Sequence, residues 1–344
     1  MIQSMRMAEL KFEKKNILVT GGAGFIGSHL CERLIREGNR VICLDNLSTG
    51  AVHNMDQLLP NPNFQFLRLD VNDAIDLEQY AELAAFKLPF QGIQEIYHLA
   101  CPTSVKDFDQ YKIQTLLANS TGNYRVLELA RKYRSRILFA SSSVVYGTRD
   151  KANPFVSEET VGAGNDHLSP RGCYDEGKKF SETMFSTYRQ VHGLEVKVAR
   201  IFRTYGPRMP LNDGQLIPDF VLSAIDGQDI VVYGGKPFHT SLMYVTDCVD
   251  GLIRLMKAPT EQWLVNFGSD VDHDIADVAE IILKTVGTKV GVRHDAPLMF
   301  LSELALPRCA RAKELGWLPL IRLEDGLRHT IDYVKANKIL LTTL

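Results

Sequence analysis

A glycine-rich turn between a short apolar run and a helical pattern is the feature that most constrains the fold of this 344-residue chain. The run Asn16–Thr20 leads directly into the sequence GGAGFIG at residues 21–27. Glycine is needed where a chain turns sharply and where its backbone must approach a ligand, and the helix that follows offers free N–H groups to phosphates. Glycine turns alone are common, but strand, turn and helix together predict a dinucleotide-binding unit.

An acidic residue at the end of the next β-rich run indicates which dinucleotide is bound. Asp45 ends that run, where a carboxylate accepts hydrogen bonds from both ribose hydroxyls and repels a 2′-phosphate, so NAD is predicted over NADP. A solvated loop acid is the alternative for Asp45, and Asp70 could contact the adenine or simply form a turn. The residues predicted to bind the cofactor are Gly21, Gly24, Phe25, Ile26, Gly27, Asp45, Asn46, Asp70, Val71, Leu99, Ala100, Asn119, Tyr174 and Lys178.

Strand-like and helix-like segments alternate through the N-terminal half. Apolar residues at helical spacing predict helices over Phe25–Glu37, Gln114–Tyr133 and Tyr174–His192. Near-continuous apolar runs predict strands buried on both faces, and these are Asn16–Thr20, Arg40–Asp45, Phe64–Asp70, Glu95–Ala100, Arg136–Ser141 and Glu195–Arg200. This alternation predicts an α/β fold with a doubly wound parallel sheet of the Rossmann type.

The pattern loosens after residue 200, where prolines and glycines mark loops. Helical patterns return at Val245–Lys257, Ile275–Thr285 and Leu323–Lys335. We therefore predict an NAD-binding domain at residues 1–200, with its sheet completed by later segments. A smaller, mixed α/β lobe at residues 201–344 is predicted to bind the substrate.

Composition excludes several classes of protein. The formal net charge is −2 and no basic run occurs, so no nucleic-acid partner is expected. The apolar stretches have strand length and the first sixteen residues lack a signal-peptide core, so no membrane span or export is expected. Six scattered cysteines without a C-x-x-C pair, and histidines without partners at ligand spacing, predict neither a disulfide framework nor a metal site. A cytoplasmic protein is predicted.

A tyrosine and a lysine four residues apart are the strongest catalytic candidates. Tyr174 and Lys178 would share one face of a predicted helix. The lysine ammonium, together with a nicotinamide cation, would lower the pKa of the phenol from about 10, so that it could take a proton from a sugar hydroxyl. The serines at 141–143 follow a strand and could hold that hydroxyl. A surface pair and an ordinary turn are the alternatives, and His98 is expected to pack near the cofactor.

Together these residues resemble the extended short-chain dehydrogenase/reductases, in particular the nucleotide-sugar epimerase/dehydratase family, from about Asn16 to the C-terminal helix. The sequences YHLACP at 97–102, CYDEGK at 173–178 and TYGPRM at 204–209 are most similar to the UDP-glucuronate decarboxylases, or UDP-xylose synthases. The resemblance implies bound NAD, a UDP-linked nucleotide-diphosphate sugar and oxidation at the sugar C4. It also implies Ser142, Tyr174 and Lys178 as the catalytic triad, and a homodimer paired through the helices predicted at 114–133 and 174–192.

Four positions depart from the family pattern. Val144 stands where the decarboxylases and 4,6-dehydratases have a glutamate, and Thr240 where they have an arginine. Arg203 replaces an asparagine, and Leu306 replaces an arginine, with Arg308 following shortly after. Thus two positions lack a cation that the family carries, and two others have gained one. This exchange favours a diphosphate that is bound through different residues, or a different sugar. The candidate substrate contacts are Ser143, Arg203, Arg208, Tyr233, Thr240 and Arg308.

Three fates of the 4-keto intermediate stay open. A ketone at C4 makes a C6 carboxylate a β-keto acid, which loses CO2 readily, so decarboxylation needs little beyond oxidation and a proton donor. Return of hydride to the other face of the ketone gives the C4 epimer, an outcome that Val144 favours. Dehydration across C5 and C6 needs an acid and a base at Ser143 and Val144, and it ranks last. An NAD-binding scaffold or sensor is the non-enzyme alternative, and the intact Ser142, Tyr174 and Lys178 argue against it.

Overall fold

A parallel sheet forms the centre of the protein in the computed structural model, which describes residues 14–103, 108–162, 164, 166–211, 213–234, 238–296 and 303–342. Its strands are β1 (Asn16–Thr20), β2 (Arg40–Asp45), β3 (Phe64–Arg68), β4 (Glu95–His98), β5 (Arg136–Ser142), β6 (Val196–Ile201) and β7 (Leu264–Phe267). The seven strands lie in the order β7-β6-β5-β4-β1-β2-β3, and every neighbouring pair is parallel. The predicted fold class, a doubly wound α/β sheet, is confirmed.

The apolar strands fold this way because both faces of the sheet are covered. All five residues of β1 are buried. Successive side chains of a strand point to opposite faces, and Ile17 and Val19 accordingly join one apolar cluster while Leu18 joins the other. A strand with one polar face could not pack against both layers, which is why the sequence of β1 is almost continuously apolar.

Ten helices are found within the described residues. They are α1 (Phe25–Arg36), α2 (Leu88–Gln91), α3 (Phe108–Leu117), α4 (Asn123–Tyr133), α5 (Gly172–His192), α6 (Leu216–Ile225), α7 (Val245–Lys257), α8 (Ile275–Val286), α9 (Ala310–Glu314) and α10 (Leu323–Thr342). Helices α1 and α7 pack together beside one face of the sheet, and α4 and α5 beside the other. In the part of the chain that the structure describes, no helix has the length and apolar character needed to cross a membrane.

The helix predicted over Gln114–Tyr133 is present and begins earlier, at Phe108. A wider π turn at Ala118–Gly122 lies within it, between α3 and α4. Asparagine side chains accompany this turn, since Asn119 Nδ2 donates to the Thr115 carbonyl at 2.8 Å and Asn123 Nδ2 donates to the Asn119 carbonyl at 2.7 Å. Short amide side chains compete in this way with the backbone hydrogen bonds of a helix, and π turns of this kind are frequent at functional sites.

The later part of the chain forms a third apolar cluster beside the sheet. Helices α6, α8 and α10 contact one another and enclose buried residues such as Phe220, Val278 and Leu327. Short strand pairs brace this part: Thr204–Tyr205 with Met243–Tyr244, Ile230–Tyr233 with Val292–Asp295, His239–Thr240 with His273–Asp274, and Phe155–Val156 with Leu306–Pro307. Strand β7 returns from this region to the edge of the central sheet.

Candidate active site

A cavity of about 360 Å³ lies at the carboxyl ends of β1, β4 and β5. The order of the strands reverses between β1 and β4, and in open parallel sheets ligands bind in the crevice at that point. The sequence-predicted residues that line the cavity are Gly21, Gly24, Phe25, Ile26, Gly27, Asp45, Asn46, Asp70, Val71, Leu99, Ala100, Ser142, Ser143, Tyr174, Lys178 and Arg203. The fold thus brings the glycine turn and the candidate catalytic side chains to one site.

The glycine turn has no room for side chains on the backbone that borders the cavity. Gly21 has a positive φ of 71°, and a Cβ atom there would lie 2.8 Å from the Ala100 nitrogen. A Cβ atom on Gly27 would lie 2.0 Å from the Gly21 carbonyl oxygen. Because only glycine allows this approach, helix α1 begins directly at the cavity with its N–H groups open to a phosphate. This local structure fits the pyrophosphate of a dinucleotide.

Asp45 closes the turn from the end of β2. Its carboxylate accepts hydrogen bonds from the backbone N–H groups of Ala23 at 3.0 Å and Leu47 at 2.8 Å. A carboxylate has about four acceptor positions, so two remain for ribose hydroxyls. Burial raises the pKa of Asp45, whereas the two backbone hydrogen bonds lower it. The adjacent Asn46 donates to Asp70 at 2.7 Å, which links the two strand ends on this side of the cavity.

The candidate triad stands at the other side of the cavity. Ser142 ends β5, and Tyr174 and Lys178 lie one turn apart on α5. The Lys178 ammonium is 4% exposed and donates to the Ala140 carbonyl at 3.0 Å. It also lies 5.7 Å from the centroid of the Tyr174 ring and 4.7 Å from that of Phe139. The lysine is therefore held beside the phenol by the strand that carries the serine.

Burial has the largest effect on the pKa values of Tyr174 and Lys178. Burial raises the pKa of Tyr174, and its hydrogen-bonding contact with Ser142 opposes that rise. Burial lowers the pKa of Lys178. The expected lowering of the phenol pKa by Lys178 is not found in the protein alone, where burial outweighs the lowering effects of Ser142 and Arg171. A nicotinamide cation, when bound, would add positive charge at this point.

A partly buried ionic network fixes the strand end behind the triad. Glu182 accepts a hydrogen bond from Ser141 at 2.6 Å and two from Arg200, at 2.9 Å and 2.7 Å. Arg200 in turn donates to the Tyr146 hydroxyl at 2.8 Å, and that hydroxyl donates to Asn266 at 2.7 Å. The network ties β5, β6 and β7 to helix α5. Glu182 was not predicted as a site residue, although its position four residues after Lys178 puts both on one helix face.

His98 lies beneath the cavity as a structural residue, as expected from the sequence. Its Nδ1 is 2.6 Å from the Thr20 hydroxyl oxygen and its Nε2 is 2.9 Å from Asn123 Oδ1. The side chain is 1% exposed, and burial lowers the pKa of His98 to about 4. Because both nitrogens of this neutral imidazole are hydrogen-bonded within the protein, neither is free to exchange a proton with a ligand.

The depressed pKa of His98 predicts that the protein loses stability in mild acid. The unfolded chain binds a proton at about pH 6.5, whereas the folded chain resists protonation until about pH 4. The free energy of unfolding should therefore fall over that interval, by on the order of 3 kcal/mol from this residue. Urea unfolding of the wild type and of His98→Gln between pH 7 and pH 4 measures this share. Replacement of the exposed His192 by glutamine is the control, and a His98→Gln difference that does not vary with pH would contradict the prediction.

The remaining predicted site residues lie away from the cavity lining. Asn119 donates to the Cys101 sulfur at 3.2 Å. Thr240 is 4% exposed and donates to the Ser241 carbonyl. Tyr233 ends a short strand, and the exposed Arg308 stacks on Phe155. Arg208 pairs with Glu32 of α1 at 2.6 Å. The cofactor or substrate roles expected of these residues stay predictions, because none of them lines the cavity.

The position of Arg208 predicts a role in stability. The Arg208 and Glu32 side chains are 12% and 15% exposed, and their pair joins the later part of the chain to α1. Loss of the guanidinium leaves Glu32 with the exposed Arg36 of the same helix and the Gln57 side chain as its partners among the described residues. Arg208→Met should thus lower the free energy of unfolding by about 2 kcal/mol, measured by urea denaturation. Arg36→Met is the matched control and should cost less than about 0.5 kcal/mol. A loss of nucleotide-sugar affinity at unchanged stability would instead favour a substrate contact.

Arg171 is a cavity residue that the sequence analysis did not identify. It lies before α5, three residues ahead of Tyr174, and contacts Asp175 at 3.4 Å. A basic residue at the N-terminal end of a helix is unfavourable for the helix dipole. That mismatch is the sequence signal that could have marked Arg171 as a functional residue.

Comparison with known proteins agrees with this geometry. The sequence pattern of the NAD dependent epimerase/dehydratase family matches residues 17–267. The UDP-glucuronic acid decarboxylase 1 of Xenopus tropicalis is 38% identical over 332 residues, which cover 94% of this chain and 73% of that protein. The UDP-glucose 4-epimerase of Thermotoga maritima, solved with UDP-glucose, has a TM-score of 0.80 at 26% identity and covers 94% of this chain and 99% of its own.

A third comparison concerns the cofactor. The dTDP-glucose 4,6-dehydratase of Bacillus anthracis, solved in complex with NAD, has a TM-score of 0.79 at 25% identity and covers 94% of this chain and 98% of its own. The predicted resemblance and the prediction of an NAD-dependent enzyme are confirmed by these matches. The chain belongs to the NAD-dependent epimerase/dehydratase family.

Proposed function

We propose that this protein oxidises the C4 hydroxyl of UDP-glucuronate and then releases the C6 carboxylate as CO2. The observation that carries the proposal is that Ser142, Tyr174 and Lys178 line the same cavity as the glycine turn. The curated relatives at 34–38% identity that are named UDP-glucuronic acid decarboxylases support it. In this proposal residues 1–200, with β7, bind NAD, and residues 201–344 bind the nucleotide sugar.

The side chains of the triad have separate tasks. Ser142 holds the C4 hydroxyl, and Tyr174 takes its proton as the C4 hydride leaves. Lys178 fixes the tyrosine and places positive charge beside the forming phenolate. NAD, when bound, supplies the acceptor for that hydride. Gly21, Asp45 and the start of α1 would hold it.

Decarboxylation follows from the ketone formed at C4. The C6 carboxylate is then β to a carbonyl, so the bond between C5 and C6 can break with its electron pair passing into the C4–C5 enolate. A proton from solvent added at C5 restores the ketone, and return of the hydride with a proton from Tyr174 gives the C4 hydroxyl of a UDP-pentose. The net reaction converts UDP-glucuronate and one proton to UDP-xylose and CO2, with no net oxidation or reduction.

Mass spectrometry of UDP-glucuronate after incubation with the NAD-loaded protein tests the proposal. The expected product has lost CO2. An unchanged mass in the presence of active, NAD-loaded protein would remove decarboxylation of this substrate.

A 4-epimerase acting on the same substrate is the second candidate, and Val144 favours it. Val144 is 2% exposed and lines the cavity where the decarboxylases of the family have a glutamate. An apolar side chain there cannot deliver a proton to C5, which the decarboxylated enolate requires. Chromatography of the same reaction distinguishes the two, because an epimer keeps the mass of the substrate and changes its retention. Dehydration across C5 and C6 has less support, since it needs an acid and a base at Ser143 and Val144.

We also propose that the protein forms a homodimer through α3, α4 and α5. Large apolar side chains on these helices are exposed: Ile113 is 69% accessible, Tyr124 47% and Phe180 50%. The resemblance pairs these helices with a second copy of the chain, and the apolar surface supports that arrangement. Light scattering after gel filtration should give a dimer for the wild type and a monomer for Ile113→Glu combined with Phe180→Glu. A monomeric wild type would contradict the proposal.

A reducing compartment fits the cysteines. All six are free thiols, and Cys31, Cys43, Cys248 and Cys309 are buried. We propose a cytoplasmic location on this ground, because unpaired cysteines persist where glutathione and thioredoxin keep thiols reduced. Fractionation of cells that make the protein at its natural level tests this, and recovery from an oxidising compartment would contradict it.

A further inference from the structure

Arg203 brings a cation to the cavity wall from the end of β6. Its guanidinium lines the cavity, and its backbone carbonyl is fixed by a hydrogen bond from the Met243 N–H at 2.9 Å. Among the residues that the structure describes, no acidic side chain acts on the charge of this guanidinium. A cation that borders a cavity without an acidic partner is unfavourable for the folded state, so its position points to an anionic ligand.

The nearest charge makes this position more unfavourable. Arg171 is the charged group that acts on Arg203, and burial together with this like charge lowers the pKa of the Arg203 guanidinium to about 10. Both arginines line the cavity. Two cations that face one space, one of them without an acidic partner, are stabilised together by an anion placed between them.

The register of the sheet sets how close Arg203 lies to the candidate catalytic serine. Ser142, the last residue of β5, lies opposite Ile201 of β6, two residues before Arg203. Arg203 therefore follows β6 close to the strand end that carries the candidate catalytic serine, and Val144 lines the same cavity. The glycine turn, which fits a pyrophosphate, belongs to β1 on the other side of β4.

We propose that Arg203, with Arg171 beside it, binds the carboxylate on C5 of a nucleotide-linked hexuronate and so selects hexuronates over neutral hexoses. The proposal rests on the proposed function, since it assumes that C4 of the sugar is held at Ser142 and Tyr174. A planar guanidinium matches a carboxylate with two parallel hydrogen bonds, whereas a neutral CH2OH group would leave the cation without its counter-charge. Arg203 is then a specificity-determining residue.

Titration calorimetry with UDP-glucuronate, UDP-glucose and UDP tests the proposal. The NAD-loaded full chain is used in a Tyr174→Phe background, so that no turnover disturbs the titration. Arg203→Met should weaken the binding of UDP-glucuronate by about 100-fold and leave UDP-glucose and UDP within about twofold. Arg203→Lys keeps the charge without the paired donors and should lose about tenfold. Arg254→Met is the control, because Arg254 pairs with Asp250 on the surface of α7 and should change nothing.

Other results would overturn the proposal. Equal weakening of all three ligands would assign the guanidinium to the diphosphate, and unchanged binding of UDP-glucuronate would show that Arg203 does not touch it. Removal of an unpartnered cation should leave the thermal midpoint of Arg203→Met unchanged or higher. A lower midpoint would show that the guanidinium has a partner within the protein. The affinity of Arg203→Lys for UDP-glucuronate would then decide whether Arg203 binds the carboxylate.

The experiment separates this proposal from the proposed function. If UDP-glucuronate binds through Arg203 but the wild type does not convert it, the proposed function fails and the carboxylate site stands. If the wild type converts UDP-glucuronate and Arg203→Met keeps its preference over UDP-glucose, the carboxylate site fails and the proposed function stands.

Discussion

Replacement of Tyr174 by phenylalanine should lower kcat by about 1,000-fold while the affinities for NAD and UDP-glucuronate stay within about twofold. The phenol is the group that takes the C4 proton, and the ring that fills the cavity wall is kept in phenylalanine. Single-turnover rates of the NAD-loaded wild type and variant measure the loss, and titration calorimetry measures the affinities. The same experiment on Ser142→Ala and Lys178→Met should give losses in the same direction.

Tyr188→Phe is the matched control for Tyr174. Tyr188 lies on the same helix, α5, and its hydroxyl donates to Glu128 at 2.9 Å, outside the cavity lining. Its replacement should leave kcat within about twofold. If Tyr174→Phe kept kcat within tenfold of the wild type, the phenol would not be the proton acceptor and the triad would have to be reassigned.

Replacement of Gly27 by alanine should abolish the close approach of α1 to the glycine turn. The added Cβ would lie 2.0 Å from the Gly21 carbonyl oxygen and 2.8 Å from Gly22 Cα, both of them backbone atoms that cannot move independently. We expect the free energy of unfolding to fall by about 3 kcal/mol. We also expect NAD affinity to fall by about 100-fold, since the N–H groups of α1 move away from the phosphates.

Gly164→Ala is the control for this substitution, because a Cβ atom there meets nothing within 4 Å. Urea unfolding and titration with NAD should give wild-type values for it. Gly27→Ala with wild-type NAD affinity would show that the dinucleotide does not rest on this turn.

The sequence predicted the central sheet well because each strand is buried on two sides. Strand β1, for example, has no exposed residue, so a continuous apolar run identifies it without knowledge of its neighbours. The glycine turn was equally visible, since the clash that a Cβ would cause at Gly27 involves residues only a few positions away. Asp45 and the Tyr174–Lys178 pair follow from the same local rules, a strand end and a helix spacing.

Contacts between distant segments were not visible in the sequence. Arg208 was expected to bind the substrate, yet it pairs with Glu32, because the approach of the later segment to α1 is set by tertiary packing. Arg171 and Arg203 come together only through the register of β5 with β6 and the start of α5. The π turn at Ala118–Gly122 depends on amide hydrogen bonds that a helical apolar pattern does not encode.

The measurement that tests oxidation at C4 most directly uses UDP-glucuronate with deuterium at C4 of the sugar. We predict a primary isotope effect of about twofold or more on kcat/KM, because the bond to that hydrogen breaks in the first chemical step. We also predict that the product keeps the label at C4, since the same hydride returns to the sugar. Equal rates for the two isotopologues, or loss of the label to water, would contradict the account.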